Sequence, residues 1–187
     1  DDRPMPWIVT NAIYAGDAPA ASVPRAPQAP DAATAVSITQ INVMKDDWHI
    51  EANATSTGTV VEDAGAVRLD YRLGSGVPAG QYVAIATSAS GPAALDRIEF
   101  VASSPRPMRL SVQVRLPGGV DGQRWRRSIY VDDTPRPFSV RLADLEPVNR
   151  TSPLRPVVAR VQSVLLVIDT LNARPGAEGQ LTLRHVR

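Results

Sequence analysis

Two runs near the end of the chain decide its fold: RWRRSIYVDDTPRPFSVRLADLEPV from Arg124 to Val148, and VQSVLLVIDTLNARPGAEGQLTLRHVR from Val161 to Arg187. In the second run, Val164, Leu166 and Ile168 alternate with Val161, Leu165 and Val167, so Val161–Ile168 is apolar on both faces. A short strand of that kind is central in a sheet and buried on both sides. The other segments are apolar on one face only. Trp125, Ile129 and Val131 share a face against Arg126, Ser128 and Tyr130. Phe138, Val140 and Leu142 share the next, and Leu181 and Leu183 alternate with Gln180, Thr182 and Arg184. Each is a half-buried strand, and each presents its apolar side to a common core.

Working outward, the same period of two recurs. Trp48, Ile50, Ala52 and Ala54 alternate with His49, Glu51 and Asn53; Val67, Leu69, Tyr71 and Leu73 alternate with Arg68, Asp70 and Arg72. Gln81–Thr87 is a short apolar strand, Ile98, Phe100 and Ala102 mark another, and Met108–Leu116 is the most regular alternation in the chain. Gly and Pro punctuate the intervals at Gly74–Gly80, Gly91-Pro92, Pro117-Gly118-Gly119 and Pro175–Gly179. The pattern predicts about nine strands and no amphipathic helix, hence an all-β antiparallel sandwich or jelly roll over 36–187. Ahead of it, Ala15–Ala35 carries Pro19, Pro24, Pro27 and Pro30, which remove donors and block helix, so 17–35 reads as an extended linker. Trp7, Ile8, Val9, Ile13 and Tyr14 in 1–16 form an apolar strand that belongs to, or packs on, something else, or else docks on its own sandwich.

Composition excludes several functions. The chain has 187 residues, 43% of them hydrophobic and 21% charged, with a net charge of +1. That balance gives one sizeable core and no global field to recruit nucleic acid or an anionic membrane. Lys45 is the only lysine, and the Arg, Ala, Val and Pro content reflects GC-rich coding. Cysteine is absent, which removes disulfides, thiolate metal sites and a Cys nucleophile, and leaves the compartment open. No apolar run approaches the roughly 20 residues of a membrane span. Asp1 opens the chain without a basic-then-apolar leader, which reads as a mature product or a fragment of a longer protein.

The order Trp125, Tyr130-Val131-Asp132, Leu142-Ala143-Asp144-Leu145, Val161–Ile168 and Gly179–Val186 resembles the galactose-binding-like jelly roll. The resemblance implies a non-catalytic carbohydrate-binding module of the kind attached to hydrolases. It favours an extracytoplasmic setting, and some such domains hold a structural calcium. Separately, WIVTNAIYAG, from Trp7 to Gly16, resembles the segment closing the catalytic domain of PHP-type metal-dependent phosphoesterases, with Ala12 where that family has Pro. That implies an upstream catalytic domain or partner chain.

The residues themselves disfavour an autonomous enzyme. His49 and His185 are the two histidines and fall in no metal-binding motif. There is no G-x-S-x-G, and Gly74-Ser75-Gly76 lacks a phosphate-loop context. Asp46-Asp47 and Asp132-Asp133 are paired carboxylates; neighbours on a strand point to opposite faces, so they converge as a glycosidase pair only at a turn, and are otherwise solvated turn carboxylates. For the calcium that the jelly-roll resemblance implies, Asp46, Asp47, Asp132, Asp133, Asp169 and Glu178 offer hard oxygen donors at predicted strand ends, with Asp132 and Asp133 as the metal candidates. Trp48 and Trp125 fall on core faces, so a flat aromatic sugar platform is not evident. What remains for a glycan is a polar outward face: Arg68, Asp70 and Arg72 on one strand, Arg109, Gln113 and Arg115 on a second, Arg126 and Tyr130 on a third. Guanidinium forks and carboxylates hydrogen-bond vicinal hydroxyls bidentately if these strands adjoin. The alternative is a structural or interaction sandwich that packs on a catalytic partner, or assembles with copies of itself, without ligand.

Overall fold

A computed structural model of the chain describes residues 48–63, 65–76, 80–89, 95–149 and 152–186. The expected terminal strand (1–16), the linker (17–35), the domain start at 36 and the Asp46-Asp47 pair lie outside these residues. Among the described residues, eleven strands form two sheets with antiparallel pairing throughout. The six-stranded sheet contains β1 (His49–Ala52), β4 (Tyr82–Ser88), β10 (Ser163–Asp169), β6 (Met108–Arg115), β7 (Arg124–Val131) and β9 (Glu146–Pro147), in that order. The five-stranded sheet contains β2 (Thr57–Asp63), β3 (Ala66–Arg72), β11 (Glu178–Arg184), β5 (Arg97–Ser103) and β8 (Arg136–Arg141). Apart from strands, three single 3-10 turns occur among the described residues. The expected all-β sandwich is the observed fold.

The alternation places the core between the sheets. Val83 and Ile85, Val164, Leu166 and Ile168, Leu110, Val112 and Val114, and Trp125 point inward from the six-stranded sheet. Val67 and Leu69, Leu181 and Leu183, Ile98 and Phe100, and Val140 meet them from the other. Burial of each such aliphatic or aromatic side chain stabilises by about 1.5–3 kcal/mol. Phe100 and Phe138, directly paired across β5 and β8, stack with ring centroids 5.6 Å apart.

β10 sits between β4 and β6, and all of its residues but Asp169 are buried. Its second apolar face, Leu165 and Val167, joins Ala84 and Ala86 in a separate buried cluster on the outer side of the six-stranded sheet. Trp125 is fully buried, and its indole Nε1 donates to the Pro153 carbonyl at 2.9 Å. That bond ties down the Pro-rich segment crossing from β9 to β10.

Two strands exceed the sequence expectation. β2 has no period of two, because Val60 and Val61 are adjacent, and it lies at a sheet edge with Val61 exposed. β9 is two residues long and exists only through pairing to Trp125 and Arg126.

Candidate functional site

The strands carrying the expected polar face do not all adjoin: β6 and β7 pair, bringing Gln113 beside Arg126 and Arg109 beside Tyr130, but β3 does not join them. β3 lies in the five-stranded sheet, whereas β6 and β7 lie in the six-stranded one. Arg68, Asp70 and Arg72 therefore face away from the sandwich on one side, and Arg109, Gln113, Arg115, Arg126 and Tyr130 on the other. Alternation marks which side of a strand is polar but not which sheet the strand joins.

On the β3 side, Arg68 Nε contacts Asp70 Oδ2 at 3.3 Å. Asp70 and Arg72 line a groove of about 490 Å³ together with Thr57, Thr59, Glu178, Gln180 and Arg106. In register, Thr57, Arg72 and Glu178 form one outward row, and Thr59, Asp70 and Gln180 the next.

On the other sheet, Gln113 and Arg115 correct the expectation of a solvated face. Both point outward from β6 yet are buried, at 4% and 5% exposure. The Arg115 guanidinium crosses the apolar centre of that face to reach Glu51 on β1, donating Nη1 to Oε2 and Nη2 to Oε1, each at 2.7 Å. This bidentate bond holds the Glu51 carboxyl below its ordinary range against the opposing effect of burial; the charge of Arg115 and contact from His49 add to it. Gln113 Nε2 donates to Ser111 Oγ at 3.1 Å, while Gln113 Oε1 and Arg115 Nε are buried without a partner among the described residues.

The accessible part of this face lies over β6 and β7. Ser111 and Ser128 are directly paired, and Arg126 and Glu146 are paired one position along. These four, with Arg127, Asp144, Leu171 and Asn172, line a cleft of about 570 Å³. The turn between β10 and β11 forms one wall. Asp169 Oδ1 accepts from Leu171 N at 3.1 Å and from Asn172 Nδ2 at 2.9 Å, and Asn172 Oδ1 in turn accepts from Ser128 Oγ at 3.1 Å. Leu171 is left 72% exposed at the lip. Asp144 accepts from Arg141 at 3.0 Å and faces Arg127 at 3.6 Å, and the Arg141 bonds lower its pKa from the usual value. Tyr130, 52% exposed and paired with exposed Arg109, stands on the same side of β7 as Arg126 and Ser128. Of the eight expected residues, Arg126 thus lines this cleft, Tyr130 and Arg109 share its sheet face, and Gln113 and Arg115 lie buried beside it. Ser111, Ser128 and Asn172 escaped the sequence reading; the two serines occupy polar positions in the alternation, but Asn172 is delivered by a turn and carries no such signal.

The calcium candidates are occupied otherwise. Asp132 accepts from Thr134 N at 3.1 Å and is ion-paired with Arg136, and Asp133 accepts from Thr134 Oγ1 at 3.4 Å. A cation at Asp132 would have to displace that guanidinium. Among the described residues no group of three His, Cys, Asp or Glu converges as a metal site.

No protein-family model matches the chain, and no curated protein is significantly similar to it. Solved structures share its fold. A family 11 carbohydrate-binding module from Clostridium thermocellum, determined in complex with a β-1,3-1,4-mixed-linked tetrasaccharide, superposes with a TM-score of 0.59 at 11% identity, covering 78% of this chain and 90% of that one. The family 11 module of the Clostridium thermocellum cellulosomal cellulase Lic26A-Cel5E gives 0.56 at 12% identity over 74% and 85%. An exo-β-agarase gives 0.50 at 11% identity, covering 77% of this chain but 23% of that longer one. The fold of this chain is thus that of carbohydrate-binding-module β-sandwiches.

Proposed function

We propose that this domain is a non-catalytic carbohydrate-binding module whose glycan site is the cleft over β6 and β7. The observation that carries this reading is the composition of that cleft. Two hydroxyls, an amide, guanidinium groups and carboxylates surround about 570 Å³ on a sheet face, and Tyr130 presents an exposed ring on the same face. Neutral sugars need donors and acceptors in close alternation for their hydroxyls, and an apolar surface for their C–H faces. Ser128–Asn172 and Arg126–Glu146 supply the first; Tyr130 and Leu171 supply the second. The likeness to a module solved with a mixed-linkage tetrasaccharide supports the same class of ligand.

The domain serves, in this reading, as the accessory part of a larger hydrolase. Its partial coverage of the agarase is in keeping with a sandwich carried within a longer enzyme. The resemblance of WIVTNAIYAG to the end of a PHP-type phosphoesterase domain makes that family the candidate for the catalytic part. A second reading, a packing module without ligand, is favoured by the exposed apolar side chains of Leu154, Val157 and Val158.

Calorimetric titration with mixed-linkage gluco-oligosaccharides separates the two. Micromolar-to-millimolar binding, weakened about tenfold or more by Arg126→Ala or Tyr130→Ala, is expected for the glycan module. Absence of binding to every neutral glycan on an array would leave the packing module as the reading.

A further inference from the structure

The geometry points to a second, independent ligand site on the opposite sheet: the groove between β11 and the β5–β6 turn, selective for an acidic saccharide that carries a carboxylate among hydroxyls.

The groove exists because β5 leaves β11 early. The two strands pair only at Thr182–Arg184. Ser103 is the last residue of β5, and Ser104 N then donates to the Asp132 carbonyl at 2.7 Å, carrying the chain toward β7. The next residue is Pro105, which has no N–H to extend the ladder. Beyond Thr182, Glu178, Gly179 and Gln180 of β11 keep β3 on one side but have no strand on the β5 side among the described residues. The space left is the cavity of about 490 Å³, within the range of roughly 300–1,000 Å³ usual for small-molecule sites.

The rim chemistry defines the ligand. Arg106 sits between Pro105 and Pro107, and Ser104 Oγ donates to its carbonyl at 2.8 Å, so the exposed guanidinium hangs from a stiffened turn. Arg72 projects from β3 into the same groove. Neither forms an ion pair among the described residues, whereas Asp70 is matched by Arg68. Two unpaired guanidiniums thus face one unpaired carboxylate, Glu178. A planar carboxylate pairs with such forks bidentately. Glu178 and Asp70 accept only, so the rest of the ligand must donate, as sugar hydroxyls do. A compact dianion without hydroxyls would meet those two carboxylates unfavourably.

The test uses the full 187-residue chain and two probes, trigalacturonate and its methyl ester, titrated calorimetrically at low and high salt. The acid is expected to bind, more weakly at high salt, and the ester at least about tenfold more weakly. Arg72→Ala and Arg106→Ala, both exposed and so expected to melt as the parent does, should each reduce acid binding about tenfold, while Arg126→Ala leaves it unchanged. Absence of binding, equal binding of acid and ester, or loss in Arg126→Ala but not in Arg106→Ala would overturn the assignment. Neutral-glucan binding depends on the other sheet, so the two proposals fail separately.

Discussion

Replacing Glu51 by Gln should destabilise the domain more than any surface substitution, and only above acid pH. The Arg115 and Glu51 side chains are 6% and 11% exposed, and two bonds of 2.7 Å join them. With Glu51 neutral, the Arg115 charge stays buried on the apolar outer face of Leu165 and Ala86, with its Nε already lacking a partner among the described residues. Removing one member of such a pair costs about 3–5 kcal/mol. For a domain of this size each kcal/mol lowers Tm by about 2–4 °C, so a fall of about 6–20 °C is expected. The pH dependence has a definite sign. The folded-state pKa of Glu51 lies below its unfolded value, principally because Arg115 donates to it. The stabilisation is therefore complete above the unfolded value, about pH 4.3, and is lost as pH falls through the folded one. Differential scanning calorimetry of parent and Glu51→Gln across this window should give a constant gap near neutrality that closes in acid. The double variant Glu51→Leu/Arg115→Leu should recover most of the loss, because an apolar pair suits that face and leaves no buried charge. A single-variant loss under about 1 kcal/mol, or a gap that persists unchanged into acid, would show that the pair is solvated and that the outer face of β10 is not closed.

Other perturbations test separate parts of the architecture. Gly179→Ala should cost about 1–3 kcal/mol in urea unfolding, because the new methyl group meets the Tyr71 hydroxyl at 2.9 Å and two of its ring carbons at 3.2 Å; an unchanged midpoint would mean that Tyr71 does not lie over β11. Trp125→Phe should cost about 2 kcal/mol and speed hydrogen exchange in the 152–157 segment, since it removes the bond to Pro153 and leaves that carbonyl without a donor. Arg141→Ala should move the Asp144 titration, followed by carboxyl-carbon NMR, up toward the ordinary aspartate range, because Arg141 is the main cause of its depression.

The parts of this structure legible in sequence are those written in local alternation. Val164–Ile168 declares a central strand because no polar residue interrupts either face, and Trp125 declares itself core because Ile129 and Val131 share its side. Sheet membership is a different kind of information. It depends on pairings such as Arg68 with Thr182 and Gln113 with Leu165, which join residues far apart in the chain, and no local rule joins them. That is why two polar rows with the same alternation, on β3 and on β6–β7, merge into one face on paper and separate onto opposite sides of the sandwich. Arg115 shows the deeper difficulty. Its position in the alternation is that of a solvent-facing residue, and its direction is indeed outward, but its partner lies 64 residues earlier and its surroundings are apolar. Polarity in a strand pattern therefore reports orientation relative to the main core, whereas exposure depends on the far side of the sheet as well. The same distinction explains the two candidate sites. Each forms where a sheet face is left open by an interruption — the departure of β5 from β11, or the turn carrying Asn172 over Ser128 — and interruptions are set by turns and prolines rather than by strand periodicity.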